Sequence, residues 1–372
     1  MNLPDEKIKV LVVDDSALMR KMIPMIISTD KNIEVIGTAM DGDFALKKIP
    51  DLRPDVITLD MDMPRMDGLT TLSVIVKEYR IPVILVSSLT KQGAEITLKG
   101  LEIGAFDFVP KPHDAISVHI SKISQELIGK IIAASRWSRP NFREPIPAKN
   151  KPLLRAAAPL MSPAPDYVVA IGISTGGPQT LAEILPLLPA DFPAGIVIVQ
   201  HMPEGFTDLF AKRLDTLCNI RVKEAVSGDI VSAGKAFIAP GGKHLKVKKT
   251  DFGIMTVISQ TPSDSNHKPS ATVLFRSVAE EFGNKAIGII MTGMGDDGVE
   301  GLGEIQRKGG VTIAQDEKTS IIYGMPKVAV EKGFVDVVLG LDEIVPRLNA
   351  ILKGRGENMP HAEQPNTMMI SR

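Results

Sequence analysis

The sequence has one cysteine, Cys218, in 372 residues, so no internal disulfide framework is possible and a reducing compartment is expected. It has no run of about eighteen apolar residues, which leaves no stretch expected to cross a membrane as a helix. Met1 to Lys9 is short and charged, with no apolar segment of signal-peptide type behind it. Charge of one sign is also missing. A net charge of −1 gives no electrostatic reason to bind nucleic acid or an anionic membrane. These absences point to a cytoplasmic protein that neither inserts in membrane nor binds nucleic acid. Its 44% apolar and 23% charged content is that of an ordinary globular chain, and its length suits two domains.

What is present is alternation. From Ile8 to about Lys130, short apolar or β-branched runs at Ile8–Val13, Glu34–Thr38, Val56–Leu59, Val83–Val86 and Phe106–Val109 are separated by stretches of helical spacing. That pattern predicts a five-strand parallel sheet wrapped by helices. The working edge of such a sheet lies at the carboxyl ends of its strands. Those ends carry Asp14 and Asp15, then Asp60, then Ser87 and Ser88, then Lys111. Three carboxylates on one rim repel one another unless a cation sits among them, and Mg²⁺ held by carboxylates and water suits the site. A metal and a lysine beside Asp60 favour an incoming phosphoryl group, with Asp60 as the nucleophile that forms an acyl phosphate. Taken singly, each acid reads equally well as a solvated loop cap.

Val12-Val13-Asp14-Asp15-Ser16, the run from Asp60 through Met61-Asp62-Met63-Pro64-Arg65-Met66-Asp67 to Gly68, and Lys111-Pro112 resemble a response-regulator receiver domain over the whole segment. The resemblance implies a flavodoxin-like (βα)5 fold with Asp60 as phosphoacceptor. It implies Mg²⁺ held by Asp14, Asp15, Asp60 and the backbone carbonyl of Asp62, with Ser87 and Lys111 contacting the phosphoryl group and Phe108 as the switching aromatic. Pro110 departs slightly from the pattern but leaves the motif intact, and Pro24 is expected to kink the first helix.

From Ala134 to Asp166 the periodicity disappears, and prolines, alanines and basic residues dominate, as in an extended tether. The expected organisation is a receiver over 1–130, a linker over 131–166, a second domain over 167–352 and a disordered tail over 353–372.

Alternation returns after Tyr167. Strands are expected at Tyr167–Ile173, Gly195–Gln200, Ala286–Met291, Val311–Ala314 and Val335–Leu339, making a doubly wound, mostly parallel α/β domain with some antiparallel pairing. Arg221–Ser259 reads as short strands around a Pro240-Gly241-Gly242 turn, a hairpin insertion. The first of these strands runs into Ser174-Thr175-Gly176-Gly177-Pro178, a tight turn into a helix whose unpaired N–H groups point back at Ser174. Strand ends also carry His201 and the run Met294-Gly295-Asp296-Asp297-Gly298. A serine becomes a nucleophile when an imidazole takes its proton, and that imidazole needs an acid to fix its tautomer. All three residue types fall on one rim, and spacing alone does not choose between Asp296 and Asp297.

Gly172-Ile173-Ser174-Thr175-Gly176 also fits a G-x-S-x-G nucleophile elbow. The α/β-hydrolase order needs a histidine after the acid, however, and only His361 follows Asp297. A dinucleotide cradle would need G-x-G-x-x-G and an acidic ribose ligand, and the second strand ends in His201 instead. A metal on His201, His244 and His267 lacks local ligand spacing. His113, His119, His244 and His361 read as surface residues.

Gly172-Ile173-Ser174-Thr175-Gly176-Gly177, Gln200-His201-Met202-Pro203, His267-Lys268-Pro269-Ser270 and Thr292-Gly293-Met294-Gly295-Asp296-Asp297-Gly298 look like the catalytic domain of the chemotaxis protein-glutamate methylesterases, the CheB family. With the receiver in front, the resemblance covers nearly the whole chain. It implies Ser174 as nucleophile, His201 as general base, Asp297 as orienting acid through a Gly-x-Asp-Gly pattern, and the Met294 N–H as oxyanion donor, with Thr175 and His267 in support. The activity it implies is hydrolysis of glutamyl γ-methyl esters on the cytoplasmic helices of chemoreceptors, together with glutamine deamidation. Phosphorylation by the chemotaxis histidine kinase would control it, Mg²⁺ would serve only the receiver, and no cofactor is expected at the esterase site. The competing class is a phosphorylation-controlled binding module, and the lack of a helix-turn-helix pattern and of basic charge counts against it.

Overall fold

A computed structural model describes residues 7–111, 118–137, 165–261 and 267–354, with the backbone alone over 118–122. Within them the chain forms two compact units. Most of the expected linker, 138–164, lies outside the described residues, as do the tail 355–372, His113, His361 and the side chain of His119.

The first unit alternates strand and helix in the order β1 (Ile8–Val13), α1 (Met19–Ile27), β2 (Ile33–Ala39), α2 (Gly42–Leu52), β3 (Val56–Asp60), α3 (Gly68–Val74), β4 (Val83–Ser87), α4 (Lys91–Ile103), β5 (Asp107–Pro110) and α5 (Val118–Arg136). Its sheet runs β2-β1-β3-β4-β5, and every neighbouring pair is parallel. β3 and β4 are buried along their whole length, because helices on both faces remove the polar side that an exposed sheet would keep. Asp41, Asp67 and Thr90 start α2, α3 and α4 by accepting the N–H of Phe44, Thr70 and Gly93. Helix α5 continues to Arg136, into the stretch expected to be linker.

The second unit is built on β6 (Val168–Ile173), α6 (Gly177–Ile184), β7 (Gly195–Gln200), α7 (Phe206–Leu217), β8 (Arg221–Glu224), β9 (Lys235–Ile238), β10 (His244–Thr250), β11 (Gly253–Ser259), α8 (Ala271–Phe282), β12 (Ala286–Ile290), α9 (Val299–Arg307), β13 (Val311–Gln315), α10 (Met325–Glu331), β14 (Val337–Leu339) and α11 (Leu341–Leu352). Seven strands form one sheet in the order β14-β13-β12-β6-β7-β9-β8, all parallel.

The fold class is as read from the sequence, and one detail is corrected. Among the described residues the antiparallel strand pair is the separate β10–β11 hairpin, whose turn is Asp251-Phe252, with one isolated antiparallel bridge from Ile230 to Met255. Pro240-Gly241-Gly242 instead leads from β9 into that hairpin. β8 and β9 have four residues each, too few for periodicity to reveal their parallel pairing. No helix separates β8 from β9. Their connection lies along β11, with Val231 N–H donating to Ile254 (2.8 Å) and Gly228 N–H to Thr256 (2.9 Å). Leu245, Val247 and Ile254 of the hairpin join Val197, Val199 and Phe237 of the sheet in the core, together with Leu274, Phe275 and Val278 of α8. The hairpin thus covers part of the sheet face, a position that a crossover helix fills in a regular βαβ unit.

Candidate active site

In the second unit the strand order reverses at β6, with β7 on one side and β12 on the other. A crevice opens at such a switch point, beyond the carboxyl ends of the strands. Ser174 follows β6 directly and is half-buried. Its main chain is fixed on every side: its N–H donates to Thr292 O (2.9 Å) and its carbonyl accepts from Gly177 N–H (2.8 Å). Gln200, buried at the end of β7, donates its Nε2 to the carbonyls of both Ser174 (3.0 Å) and His201 (3.1 Å). Two glycines make this approach possible. Gly176 has φ +75°, and a Cβ there would lie 2.4 Å from Ile321 Cδ1; at Gly293 one would lie 2.7 Å from Ser174 Cβ. The Gly293-Met294 backbone is therefore laid directly against the serine.

His201 follows β7, its N–H bonded to Ile173 O at 3.1 Å. Its Nε2 meets Asp297 Oδ2 at 2.8 Å, while its buried Nδ1 has no hydrogen-bond partner among the described residues. Asp297 is 5% exposed. Its Oδ1 accepts from Ser270 Oγ (2.7 Å) and Thr272 N–H (3.3 Å), and its Oδ2 from Ala271 N–H (2.6 Å). Burial alone would push this carboxyl up. The bond and charge of His201, then the Ser270 hydroxyl and the Ala271 N–H, outweigh it and hold Asp297 well below the usual carboxylate range. An ionised carboxylate on Nε2 keeps the proton there and leaves the lone pair on Nδ1, so the free edge of the ring is the basic one. Asp296, one residue earlier, is exposed.

Thr175 is buried, and its carbonyl accepts the Thr292 hydroxyl at 3.0 Å. Met294 is 38% exposed at the rim. His267 is exposed and stacks on His201, with centroids 4.4 Å apart and planes 8° from parallel. Ligand atoms of His201, His267 and Asp297 lie within 4.8 Å of one another. Stacked imidazoles direct their lone pairs side by side rather than onto one centre, however, unlike a tetrahedral metal site. His244, expected at the surface, is buried at the start of β10.

In the first unit, Asp14 and Asp60 are buried, Asp15 is exposed, and ligand atoms of the three fall within 4.8 Å of one another. Lys111 Nζ lies 2.7 Å from Asp60 Oδ2 and 3.8 Å from Asp14 Oδ2. Burial, then the charge of Asp60, pushes Asp14 up to about 6 despite the opposing pull of Lys111. Asp60 is also raised, chiefly by burial. Asp14 Oδ2 is buried without a hydrogen-bond partner among the described residues. One lysine under-compensates these acids, so a divalent cation fits the donor set. Asp62 N–H donates to Asp60 Oδ1 at 3.1 Å, which turns the Asp60–Asp62 backbone around the same carboxylate. The Ser87 hydroxyl accepts from Thr97 (2.5 Å) and lies 3.3 Å from Gly93 O, directed to α4 rather than to Asp60. Phe108 is buried.

Sequence reasoning placed Ser174, His201 and Asp297 at neighbouring strand ends but missed what holds the acid. Ser270 is the N-cap of α8, accepting from Val273 N–H, and it also donates to Asp297. A serine before a helix signals the cap, but nothing in the sequence marks the second bond. Gln200, likewise, is visible only as part of a motif.

The CheB methylesterase family matches residues 169–348, and the response regulator receiver domain family matches residues 10–121. The protein-glutamate methylesterase/protein-glutamine glutaminase 2 of Koribacter versatilis is 51% identical over 91% of this chain and 94% of its own length. The protein-glutamate methylesterase/protein-glutamine glutaminase of Pyrococcus horikoshii is 47% identical over 96% of this chain and 97% of its own. The solved catalytic domain of the Thermotoga maritima CheB methylesterase is 40% identical, covers 50% of this chain and 98% of its own, and has a TM-score of 0.49.

Proposed function

The chain belongs to the CheB methylesterase family, with a response regulator receiver domain ahead of the esterase, and from that premise we propose that it hydrolyses glutamyl γ-methyl esters, and deamidates glutamines, on chemoreceptor cytoplasmic helices under phosphorylation control. The observation that supports the chemistry is the Asp297 carboxylate on His201 Nε2 at 2.8 Å, which holds the proton there and leaves the lone pair on Nδ1, an atom without a hydrogen-bond partner among the described residues. Ser174 Oγ attacks the ester carbonyl as His201 Nδ1 takes its proton. The oxyanion is met by the Met294 N–H, and a donor of this kind is worth about 3–4 kcal/mol. Collapse returns the proton from His201 to the leaving atom, the ester oxygen or the amide nitrogen, and releases methanol from an ester or ammonia from a glutamine. Water then attacks the acyl-serine through the same base, which contributes about 10²–10⁴-fold to each step. Thr175 and His267 support the site, one by holding the turn and the other by covering the imidazole ring.

In the receiver, Asp14, Asp15, Asp60 and the Asp62 carbonyl would hold Mg²⁺, which when bound neutralises charge around an entering phosphoryl group. Asp60 accepts that group from the chemotaxis histidine kinase, with Lys111 as a contact already beside it, Ser87 as a second once its hydroxyl turns away from α4, and Phe108 as the aromatic that responds. The domains we assign are a receiver over 1–130, a linker over 131–166, an esterase over 167–352 and a tail over 353–372. Among the described residues no helix is long and apolar enough to cross a membrane.

The test is methanol release from methylated receptor membranes, with and without acetyl phosphate and Mg²⁺. The wild type should release methanol and be stimulated, whereas Asp60→Asn should release it unstimulated. No methanol from the wild type refutes the activity, and equal stimulation of both refutes the control.

A further inference from the structure

One face of the β10–β11 hairpin packs into the core, and the other is buried at its His244 end and becomes exposed by Lys248. Leu245, Val247, Ile254 and Ile258 face the core, so alternation directs Lys246 and Lys248, with Met255 and Val257 paired across from them, to the opposite side. Lys246 is half-buried and Lys248 exposed, and neither makes an ion pair among the described residues. The hairpin tip carries Phe252, 81% exposed. At the base, Gly242 N–H donates to Lys268 O at 3.2 Å, which ties the hairpin to the segment that supplies His267 and Ser270 to the esterase site. Lys268 precedes by two residues Ser270, whose hydroxyl donates to Asp297 at 2.7 Å, so the lysine row begins near the acid of the triad and runs outward along β10.

We infer that this row, Lys268, Lys246 and Lys248, is a docking ridge for the acidic helix that carries the scissile ester. The inference rests on the esterase reading above. Lys246 and Lys248 stand about 7 Å apart along the strand. Carboxylates on one face of an α-helix recur every one or two turns, about 5–11 Å. A helix with its ester at Ser174 can therefore lay neighbouring glutamates over successive lysines, and each ester hydrolysed adds a further carboxylate to the ligand. An anionic bilayer is the other partner that a basic and aromatic hairpin would suit. Asp251 beside Phe252 at the tip and the chain's net charge of −1 favour the peptide.

The experiment compares the full-length wild type, K248E and K246E/K248E on methylated receptor membranes and on p-nitrophenyl acetate, a small neutral ester. The double variant should lose about tenfold in kcat/KM on receptor, mainly through KM and with a weaker salt dependence, K248E should lose less, and both should keep wild-type activity on the small ester. Unchanged receptor kinetics in the double variant overturns the ridge alone, as does an equal loss on both substrates. Wild type that releases no methanol from receptor overturns the function and the ridge together. Binding to anionic vesicles without receptor, abolished by K246E/K248E while demethylation is unchanged, reassigns the surface to lipid and overturns the proposal.

Discussion

Replacing Asp297 by asparagine tests the centre of the catalytic argument, because this carboxylate meets four donors: His201 Nε2, the Ser270 hydroxyl, and the N–H groups of Ala271 and Thr272. The new amide has one acceptor oxygen and one NH₂ group. Ala271 N–H, 2.6 Å from Oδ2, forces the oxygen toward the histidine side, while the Ser270 hydroxyl can rotate to accept from the NH₂. The histidine tautomer is therefore kept and only the charge is lost. An imidazolium at 2.8 Å from a carboxylate gains roughly 6 kcal/mol at an effective dielectric of about 20. A neutral oxygen accepting a bond from a charged donor recovers about 1.5–3 kcal/mol of it. The transition state should lose about 3–4 kcal/mol, a fall of about 10²–10³ in kcat. A reversed amide, with its NH₂ on Nε2, would put the proton on Nδ1 and cost about 10⁴. Methanol release and p-nitrophenyl acetate hydrolysis should fall together. A loss under tenfold refutes the orienting role, a 10⁴ loss refutes the amide orientation, and an Asp296→Ala variant as impaired as Asp297→Asn refutes the choice of acid. Stability provides a second check. The depressed Asp297 stabilises the fold above the ordinary carboxylate pKa and loses that contribution as pH falls below about 4, so the variant should have a flatter acid limb in thermal melts.

Gly293→Ala would place a Cβ 2.4 Å from Met325 Sδ and 2.7 Å from Ser174 Cβ. It should cost about 1–3 kcal/mol of stability and at least tenfold in kcat, read by thermal melt and small-ester kinetics; full activity would show that Ser174 tolerates displacement. In the receiver, Asp14 is pushed up to about 6, so its proton competes with a cation below that pH. Mg²⁺ affinity measured by titration calorimetry should weaken steadily from pH 7 to pH 5. Because the folded state holds this proton more tightly than the unfolded state, the metal-free receiver should gain stability as pH falls from about 6 to about 4. An affinity independent of pH would refute the assigned ligand.

The central strands were legible because both sheets are parallel and these strands are buried along their whole length, so that β3, β4, β6, β7 and β12 are largely apolar runs. The Ile8–Val13 and Gly195–Gln200 runs coincide with β1 and β7. The catalytic residue types could be read from the positions just past those runs, since a parallel sheet delivers all its strand ends to one edge. The choice of Asp297 over Asp296 could not, because it depends on which carboxylate turns under the first turn of α8. The sequence also hid the parallel pairing of β8 and β9, set by hydrogen bonds to neighbours too short to carry a pattern. The burial of His244 was hidden too, because a single histidine at the start of a strand carries no pattern that tells a covered position from an exposed one.

Asp297 braces the start of α8, so its loss would harm folding whether or not the chain still hydrolyses esters. Ser174 is different: its structural bonds run through its backbone N–H and carbonyl, and its hydroxyl braces no other element among the described residues. The two positions would therefore drift at different speeds in any descendant released from its catalytic duty. Purifying selection for a foldable protein would retain the aspartate long after the serine had become alanine or glycine. A degenerate copy of this architecture would keep the acid as a fossil, and position 174 is where a genome should be inspected to tell a working enzyme from its inactive relic.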